Sequence, residues 1–348
     1  MKTAVGIVVV LALSAGGCGG GSVDKAGSPV GAKPLVLTLA AHDDDEAYAA
    51  YAAAVKRLSG GSLRITIAQN WRVTGTRSEI DFERGIVDDV RRGKVPLGIV
   101  AVRVWDTLGV DSLQALVAPF LIQSLVTEGR ALRSPLALRA LAGVRRAGVV
   151  GVALLPGRLR RPLGITRLLV GAADYRGAKI AIRLSRVAET TFAALAATPR
   201  SYIPVDFTGF DGAETDPLTI TENGWDRGVK GLTANVIFWP KAQTIVINPR
   251  TFAALSPGQR RILREAGLAA IGPELKQLRR EQRLAMSLLC GDHGFRLVTA
   301  TPADAAALRR ATQPVYDRIE RNPFTKQWIA QIARMRTAPD VTRCGGAK

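Results

Sequence analysis

The sequence is short of the residues that most catalytic and metal sites use. Its 348 residues hold only two histidines and three cysteines, too few ligands for a zinc-module array or a haem-rich chain. His42 and His293 have no neighbours at metal-ligand or triad spacing, so each reads as an ordinary surface or core histidine. GxSxG, HExxH, the P-loop and GxGxxG are all absent, which removes the common signatures of hydrolases, metalloproteases and nucleotide enzymes. A Ser-x-x-Lys string, Ser22 to Lys25, falls in a Gly-rich stretch that cannot hold a nucleophile in a packed pocket. Asp211 and Glu214 are an acid pair three residues apart beside Gly212, a spacing that does not by itself define an acid/base couple. No apolar run approaches the ~20 residues needed to span a bilayer, and no run of five basic residues occurs. The chain therefore reads as a non-enzyme, with no cofactor, no metal and no nucleic acid partner.

Arginine is what the chain has in excess. Lys and Arg total 48 against 29 Asp and Glu, a formal charge of +19. The densest groups are Arg158, Arg160 and Arg161, then Arg279, Arg280 and Arg283. Neither is interleaved with aromatics or accompanied by Cys-x2-Cys pairs, so both read as surface charge rather than a polyanion site.

The amino terminus is more specific. Met1-Lys2 is followed by an apolar run from Ala4 to Leu13, then by Ser14-Ala-Gly-Gly-Cys18. The apolar run is ~10 residues, the size of a signal-peptide core. Small residues directly before Cys18 resemble the lipobox of bacterial lipoproteins, in which cleavage leaves the cysteine as the lipidated first residue. Ala15 stands where that motif most often has Leu, and a plain secretory signal is the alternative. Residues 1–17 are expected to be removed, leaving residues 18–32 as a Gly-rich tether that holds the protein outside the cytoplasm on the membrane. In an oxidising compartment Cys290 and Cys344 are expected to pair; two free thiols are the other possibility.

Beyond the tether, strand and helix patterns alternate. Leu63-Arg-Ile-Thr-Ile67 alternates as a strand, Glu79 to Arg92 reads as a helix stopped by Gly93, and Leu97 to Val102 reads as a buried strand. Ala178 to Ile182 and Thr244 to Asn248 are further strands, and Ser256-Pro257 starts a helix that Gly272-Pro273 should kink or split. Asp43 to Glu46 places acids in the first turn of the first helix, where they favour the dipole. This alternation predicts an α/β fold with largely parallel sheets.

Several segments in their order resemble the solute-binding proteins of tripartite ATP-independent periplasmic (TRAP) transporters, the DctP-like group. Ser59-Gly-Gly-Ser-Leu-Arg-Ile-Thr-Ile67 is similar to that family's SGGxLxIxI segment, and Asp174-Tyr-Arg-Gly-Ala-Lys-Ile180 to its DLKGLKIR segment. Phe192 to Pro199 resembles FKALGANP, Phe210-Asp-Gly-Ala-Glu214 resembles VDGxE, and Leu113 to Leu121 resembles the LPFLF region. The resemblance spans about residues 35–290. It implies a two-lobed periplasmic-binding-protein-like fold, type II-like, with a ligand cleft between lobes. Lobe I would take residues 33–157 and 248–290, lobe II residues 158–247 and 291–348. The implied function is capture of a small polar or anionic organic solute, carboxylate-like, by a monomer that delivers it to a TRAP-type permease. The alternative is an envelope lipoprotein on the same scaffold that has lost solute binding and engages other proteins.

The expected site follows from one departure. The family's carboxylate-anchoring Arg ends the KIR motif, where this chain has Ala181. Arg183 lies two residues on, hence on the same strand face, displaced by ~6–7 Å. The resemblance thus nominates Arg183 as anchor, Arg161 as second donor, and Glu214 with Thr215, where the family has Asn, as the opposite wall. Tyr202, Phe207 and Phe210 filling the cleft would instead favour the alternative.

Overall fold

The computed structural model describes residues 33–42, 47–74, 77–78, 81–201, 207–291 and 295–344. The expected signal, tether and Cys18, the Asp43–Glu46 cluster, Glu79, Tyr202 and His293 lie outside them. In chain order the first elements are β1 (Leu35–Ala40), α1 (Ala47–Leu58), β2 (Leu63–Ala68), β3 (Val73–Thr74), β4 (Arg77–Ser78), α2 (Phe82–Arg91) and β5 (Leu97–Ala101). They are followed by α3 (Leu125–Leu132), α4 (Pro135–Ala142), β6 (Val150–Leu155), β7 (Arg161–Gly164), β8 (Lys179–Ile182), α5 (Arg186–Ala194) and β9 (Thr198–Ser201). The last are β10 (Gly212–Thr215), α6 (Pro217–Glu222), β11 (Gly231–Thr233), β12 (Gln243–Ile247), α7 (Pro249–Ala254), α8 (Pro257–Gly291), β13 (Leu297–Val298), α9 (Pro302–Ala311), α10 (Gln313–Ile319) and α11 (Pro323–Arg334).

Local chemistry sets many of these boundaries. Gly93, just past α2, takes the left-handed conformation at φ 77° that only glycine adopts without strain. Ser134 caps α4 with Pro135 at its first position, and Asp216 caps α6 with Pro217 in the same place. Ser256 and Gln259 bond reciprocally across the start of α8, Gln259 N to Ser256 Oγ at 3.2 Å and Ser256 N to Gln259 Oε1 at 2.8 Å.

Two main sheets result, one per lobe: β2-β1-β5-β12-β6 and β13-β11-β7-β10-β8-β9. Both are mixed rather than largely parallel. β1 pairs parallel with β2 and β5, but β12 pairs antiparallel with both β5 and β6. The reason is the path of the chain. β6 carries it out of lobe I and β12 carries it back, so the two run in opposite directions side by side. Lobe I therefore begins again at Gln243, not at 248 as the sequence suggested.

The two crossings stay paired between the lobes. Lys241 N donates to Arg158 O at 2.8 Å, Arg160 N to Trp239 O at 2.9 Å and Phe238 N to Arg160 O at 2.9 Å. At Gly157 a Cβ would stand 1.9 Å from the Lys241 carbonyl oxygen, so the close approach of the strands requires glycine there.

A second link is α8, which runs unbroken for 35 residues through Pro273; the split expected at Gly272-Pro273 does not occur. Leu263, Ala266 and Ala270 join Leu39, Tyr51, Ile99 and Ala153 in one core of lobe I. Met286 and Leu289, nearer the other end of α8, join Leu163, Ala181, Ala213 and Leu232 of lobe II. Apolar side chains on both halves keep the helix continuous through the proline, since burying each contributes ~1.5–3 kcal/mol.

The C-terminal region does not belong to lobe II alone. Trp328, Ile329 and Ile332 of α11 are buried in the core that holds Leu116, Leu125 and Leu132, because these apolar residues recur at helical spacing and face lobe I. Beyond α11 the chain returns to lobe II, where Thr342 N donates to Ala234 O at 3.2 Å. Cys344 is disulfide-bonded to Cys290 at the end of α8, with a Cα separation of 5.4 Å. Among the described residues no helix is long and apolar enough to cross a membrane.

One buried acid sits against the crossing. Glu128 of α3 is wholly buried, and its Oε1 accepts from Gly157 N at 2.8 Å. Its Oε2 has no hydrogen-bond partner among the described residues. Burial pushes its pKa well above the usual 4.5, and the nearby Glu274 and Asp340 add to the rise. The folded state thus holds a proton that the unfolded chain releases once pH passes 4.5, and stability falls as pH rises from there towards the folded value. Glu128→Gln is expected to remove that part of the slope, at most about 1.4 kcal/mol per pH unit. Urea unfolding of both proteins between pH 5 and 8 checks this; parallel curves would exclude Glu128 as the source.

Candidate functional site

The family's anchoring position lies on β8, whose neighbour β10 runs parallel with Ala213 opposite Ala181. The ends of these strands, with α6 and the segment around Phe207, enclose a small pocket. It is lined by Arg160, Ala181, Arg183, Phe207, Glu214, Thr215, Thr219 and Trp225, among others. The alternation of strand side chains brings Arg183 to it along with Ala181. Glu214 Oε1 accepts from Arg183 N at 3.4 Å. Arg183, Glu214 and Thr215 are thus brought together, but on one wall, because β8 and β10 are neighbours in one sheet.

Two polar atoms at this pocket lack protein partners. Thr215 is 1% exposed and Trp225 is 9% exposed, yet neither Thr215 Oγ1 nor Trp225 Nε1 has a hydrogen-bond partner among the described residues. A buried polar group left without any partner costs ~1–3 kcal/mol. Trp225 packs edge-on against Phe207, ring centroids 4.6 Å apart, and as it stands the pocket has room for little more than one water molecule. Of the aromatics suspected of filling the cleft, Phe207 lines this pocket, and Phe210 packs in the adjoining core.

The arginine facing the pocket is Arg160, not Arg161. Adjacent residues of an extended chain point to opposite sides, and the two guanidiniums part accordingly. Arg161 is fully buried and donates only to backbone carbonyls, Leu159 O at 3.0 Å, Asp340 O at 2.7 Å and Ala234 O at 3.4 Å. Burial without a paired carboxylate lowers its pKa to about 10. The second-donor position expected at Arg161 is therefore a structural tie to the C-terminal strap. The resemblance suggested Arg161 from the spacing of the family's second cleft Arg; the alternation along the crossing strand points to its neighbour.

Arg160 is held by two acids. Its Nε donates to Glu214 Oε2 at 2.7 Å, Nη1 to Asp216 Oδ2 at 2.5 Å and Nη2 to Glu214 O at 2.5 Å. Burial works against its charge, but Glu214 and Asp216 outweigh that and raise its pKa. Burial likewise opposes ionisation of Asp216, and Arg160, with Arg158 beyond it, brings its pKa down to about 2. Arg160, Asp216 and Trp225 are the members of this constellation that spacing alone did not single out.

Lobe I reaches the same region through Asp106. Its carboxylate accepts from Ser185 Oγ at 2.9 Å, Arg186 N at 3.0 Å and Val187 N at 2.8 Å, capping α5 from the other lobe. Asp106 follows β5 of the first sheet, while α5 follows the strand that carries Arg183. The contact thus fixes the turn bearing Arg183 against lobe I. Among the described residues no cluster of three or more His, Cys, Asp or Glu is placed to hold a metal ion.

Two α/β lobes, a paired double crossing and a polar pocket beside it define a receptor architecture of the extracytoplasmic solute-binding kind. The model of bacterial extracellular solute-binding protein family 7, DctP, matches residues 45–322, and the chain belongs to that family, whose members are solute receptors. Solved structures of TRAP periplasmic solute-binding proteins have the same fold. One from Ochrobactrum anthropi, with a C-terminus bound in the ligand-binding pocket, is 18% identical with a TM-score of 0.75 over 87% of this chain and 96% of that one. One from Shewanella oneidensis with bound succinate is 16% identical with a TM-score of 0.74 over 88% and 100%. One from Xanthobacter autotrophicus Py2 with bound β-D-galacturonate is 19% identical with a TM-score of 0.72 over 87% and 100%. A search of curated proteins found no match.

Arg160→Met is expected to strand Glu214 and Asp216 as buried acids and to destabilise the protein by about 3–5 kcal/mol. Asp216, which Arg160 keeps ionised against burial, would then take up a proton, so the deficit should shrink between pH 7 and pH 5. Chemical denaturation at both values reads this, and a pH-independent deficit below about 1 kcal/mol would refute the buried-pair account.

Proposed function

We propose that the protein captures a small organic acid in the pocket of Arg183, Thr215 and Trp225, and presents it to a membrane permease of the TRAP type. The observation that carries this is that Thr215 Oγ1 and Trp225 Nε1, buried on two residues lining that pocket, have no hydrogen-bond partner among the described residues. An indole N–H can only donate, so its partner must be an acceptor such as a carboxylate or hydroxyl oxygen. Bound succinate and galacturonate in the fold relatives support an acid as the ligand. With Ala181 in the family's anchoring position, Arg183 supplies the guanidinium, whose paired donors suit a carboxylate. Arg160 is a brace rather than a second anchor, because Glu214 and Asp216 take its donors. The pocket has to widen to admit even a four-carbon acid, which fits a receptor whose lobes part and close. A ligand stabilises the closed state only by binding it more tightly than the open one.

The small size of the pocket is also what favours a second reading, a scaffold that has lost solute binding and serves as a protein-interaction module. Thermal unfolding against galacturonate, glucuronate, succinate and erythronate, with glucose as a neutral control, separates the two. A bound acid raises the melting temperature in proportion to the logarithm of its concentration. Arg183→Ala is then expected to weaken binding about ten- to a hundredfold. No shift with any acid favours the second reading, and an unchanged dissociation constant removes Arg183 from the site.

The receptor acts outside the cytoplasm as a monomer, held to the membrane by lipid on Cys18 once residues 1–17 are removed. Cys18→Ser is expected to release it from membranes into the soluble fraction; continued fractionation with membranes would end the lipid-anchor reading.

A further inference from the structure

The second half of α8 separates its charges by face. Both of its acids are turned away from solvent: Glu274 is 1% exposed, and Glu281 pairs with Arg158 at 3.2 Å. The exposed side carries Lys276, Arg279, Arg280 and Arg283, with Leu284 and Leu288 58% and 57% exposed beside them. At 100° per residue these six positions share one half of the helix surface, and that half contains no carboxylate from Lys276 to Gly291. Large aliphatic side chains one turn apart are seldom left this open without a use.

The composition of this face selects its partner. A protein partner needs a shaped, hydrogen-bonding surface with a packed centre, whereas this face is a single convex helix with long mobile cations and two leucines. That combination matches helices that lie in a lipid interface, aliphatic residues at the acyl boundary and cations at the headgroups. We infer that the exposed face of α8 from Lys276 to Leu288 docks on an anionic phospholipid surface. This does not rest on the solute reading, since no residue of the pocket takes part.

The test uses the mature chain, residues 18–348, carrying Cys18→Ser, so that neither the apolar leader nor a lipid anchor contributes, and cosedimentation with phosphatidylcholine vesicles with or without phosphatidylglycerol. The chain should bind the vesicles containing phosphatidylglycerol and lose binding as salt is raised. K276E/R280E/R283E should weaken binding about a hundredfold, the product of a roughly fivefold loss per cation near the surface. R57E/R145E/R146E changes the net charge equally at exposed positions of lobe I and should weaken it less than about threefold. L284S/L288S should weaken it further while leaving the salt dependence in place. Equal losses for the two triple variants would mean that net charge alone is responsible, and would overturn the assignment. So would failure to bind the anionic vesicles, the outcome expected if the face serves an acidic protein instead. Melting temperatures with and without organic acid, measured on K276E/R280E/R283E, keep folding and solute binding separate from the vesicle result.

Discussion

The paired crossing of two antiparallel segments between the lobes is the constraint on which the rest of the structure depends. Residues 155–161 leave lobe I while residues 238–243 return to it, bonded to one another throughout. Because they pair, β6 and β12 lie side by side in the first sheet, which makes that sheet mixed. Because they approach so closely, position 157 has to be glycine. The pairing also sets down Arg160 and Arg161 on opposite sides of one strand at the entry to lobe II. One guanidinium braces the pocket wall, and the other holds the C-terminal strap through Asp340 O.

The ribbon is packed as well as paired: Leu159 and Ile237 are buried in one core and Phe238 and Trp239 in another. Other links join the lobes beside it. Helix α8 is anchored in both cores and resists bending, while the strap is closed by the disulfide. Asp106 is a different kind of link. Its three bonds join side-chain oxygens to the hydroxyl and backbone donors at the start of α5. Burial raises the pKa of Asp106 against the pull of those bonds, so the contact carries a desolvation cost that the apolar anchors of α8 do not.

Much of the fold was legible because its signals are local. Alternating apolar residues marked β2, the Ser-Pro pair marked the start of α8, and the order of short motifs carried the two-lobed architecture. Where the reading failed, the deciding contact lay far away in sequence. Parallel pairing was expected from strand–helix alternation, but a returning strand inserted beside β5, its residues 142 to 150 positions from their partners. Pro273 was expected to split a helix that apolar anchors in two lobes keep whole. Trp328 of α11 gave no sign of which lobe it packs in, since its helical spacing marks an apolar face and not the surface it meets. At the pocket, the proximity of Arg183, Glu214 and Thr215 was legible because neighbouring motifs fixed β8 and β10; their role towards a solute is the proposal made above. Arg160 and Trp225 were not, because partners more than fifty positions away define the first and a missing partner defines the second.

The charge arrangement around the pocket bears on what it can hold. Arg160, Glu214 and Asp216 form a unit with one cation and two carboxylates, buried and mutually bonded. Removing water from such a unit strengthens each attraction within it, so a ligand carboxylate gains little by competing for Arg160. Under the reading proposed above, the anchoring cation stands at position 183 rather than 181. That leaves only alanine at the place of the lost guanidinium, and it puts the cation at the same pocket as Thr215 and Trp225, whose hydroxyl and indole N–H have no partner among the described residues. A solute that brings oxygen acceptors beside its carboxylate would satisfy these donors, whereas the bonded unit of Arg160, Glu214 and Asp216 offers a second anion little.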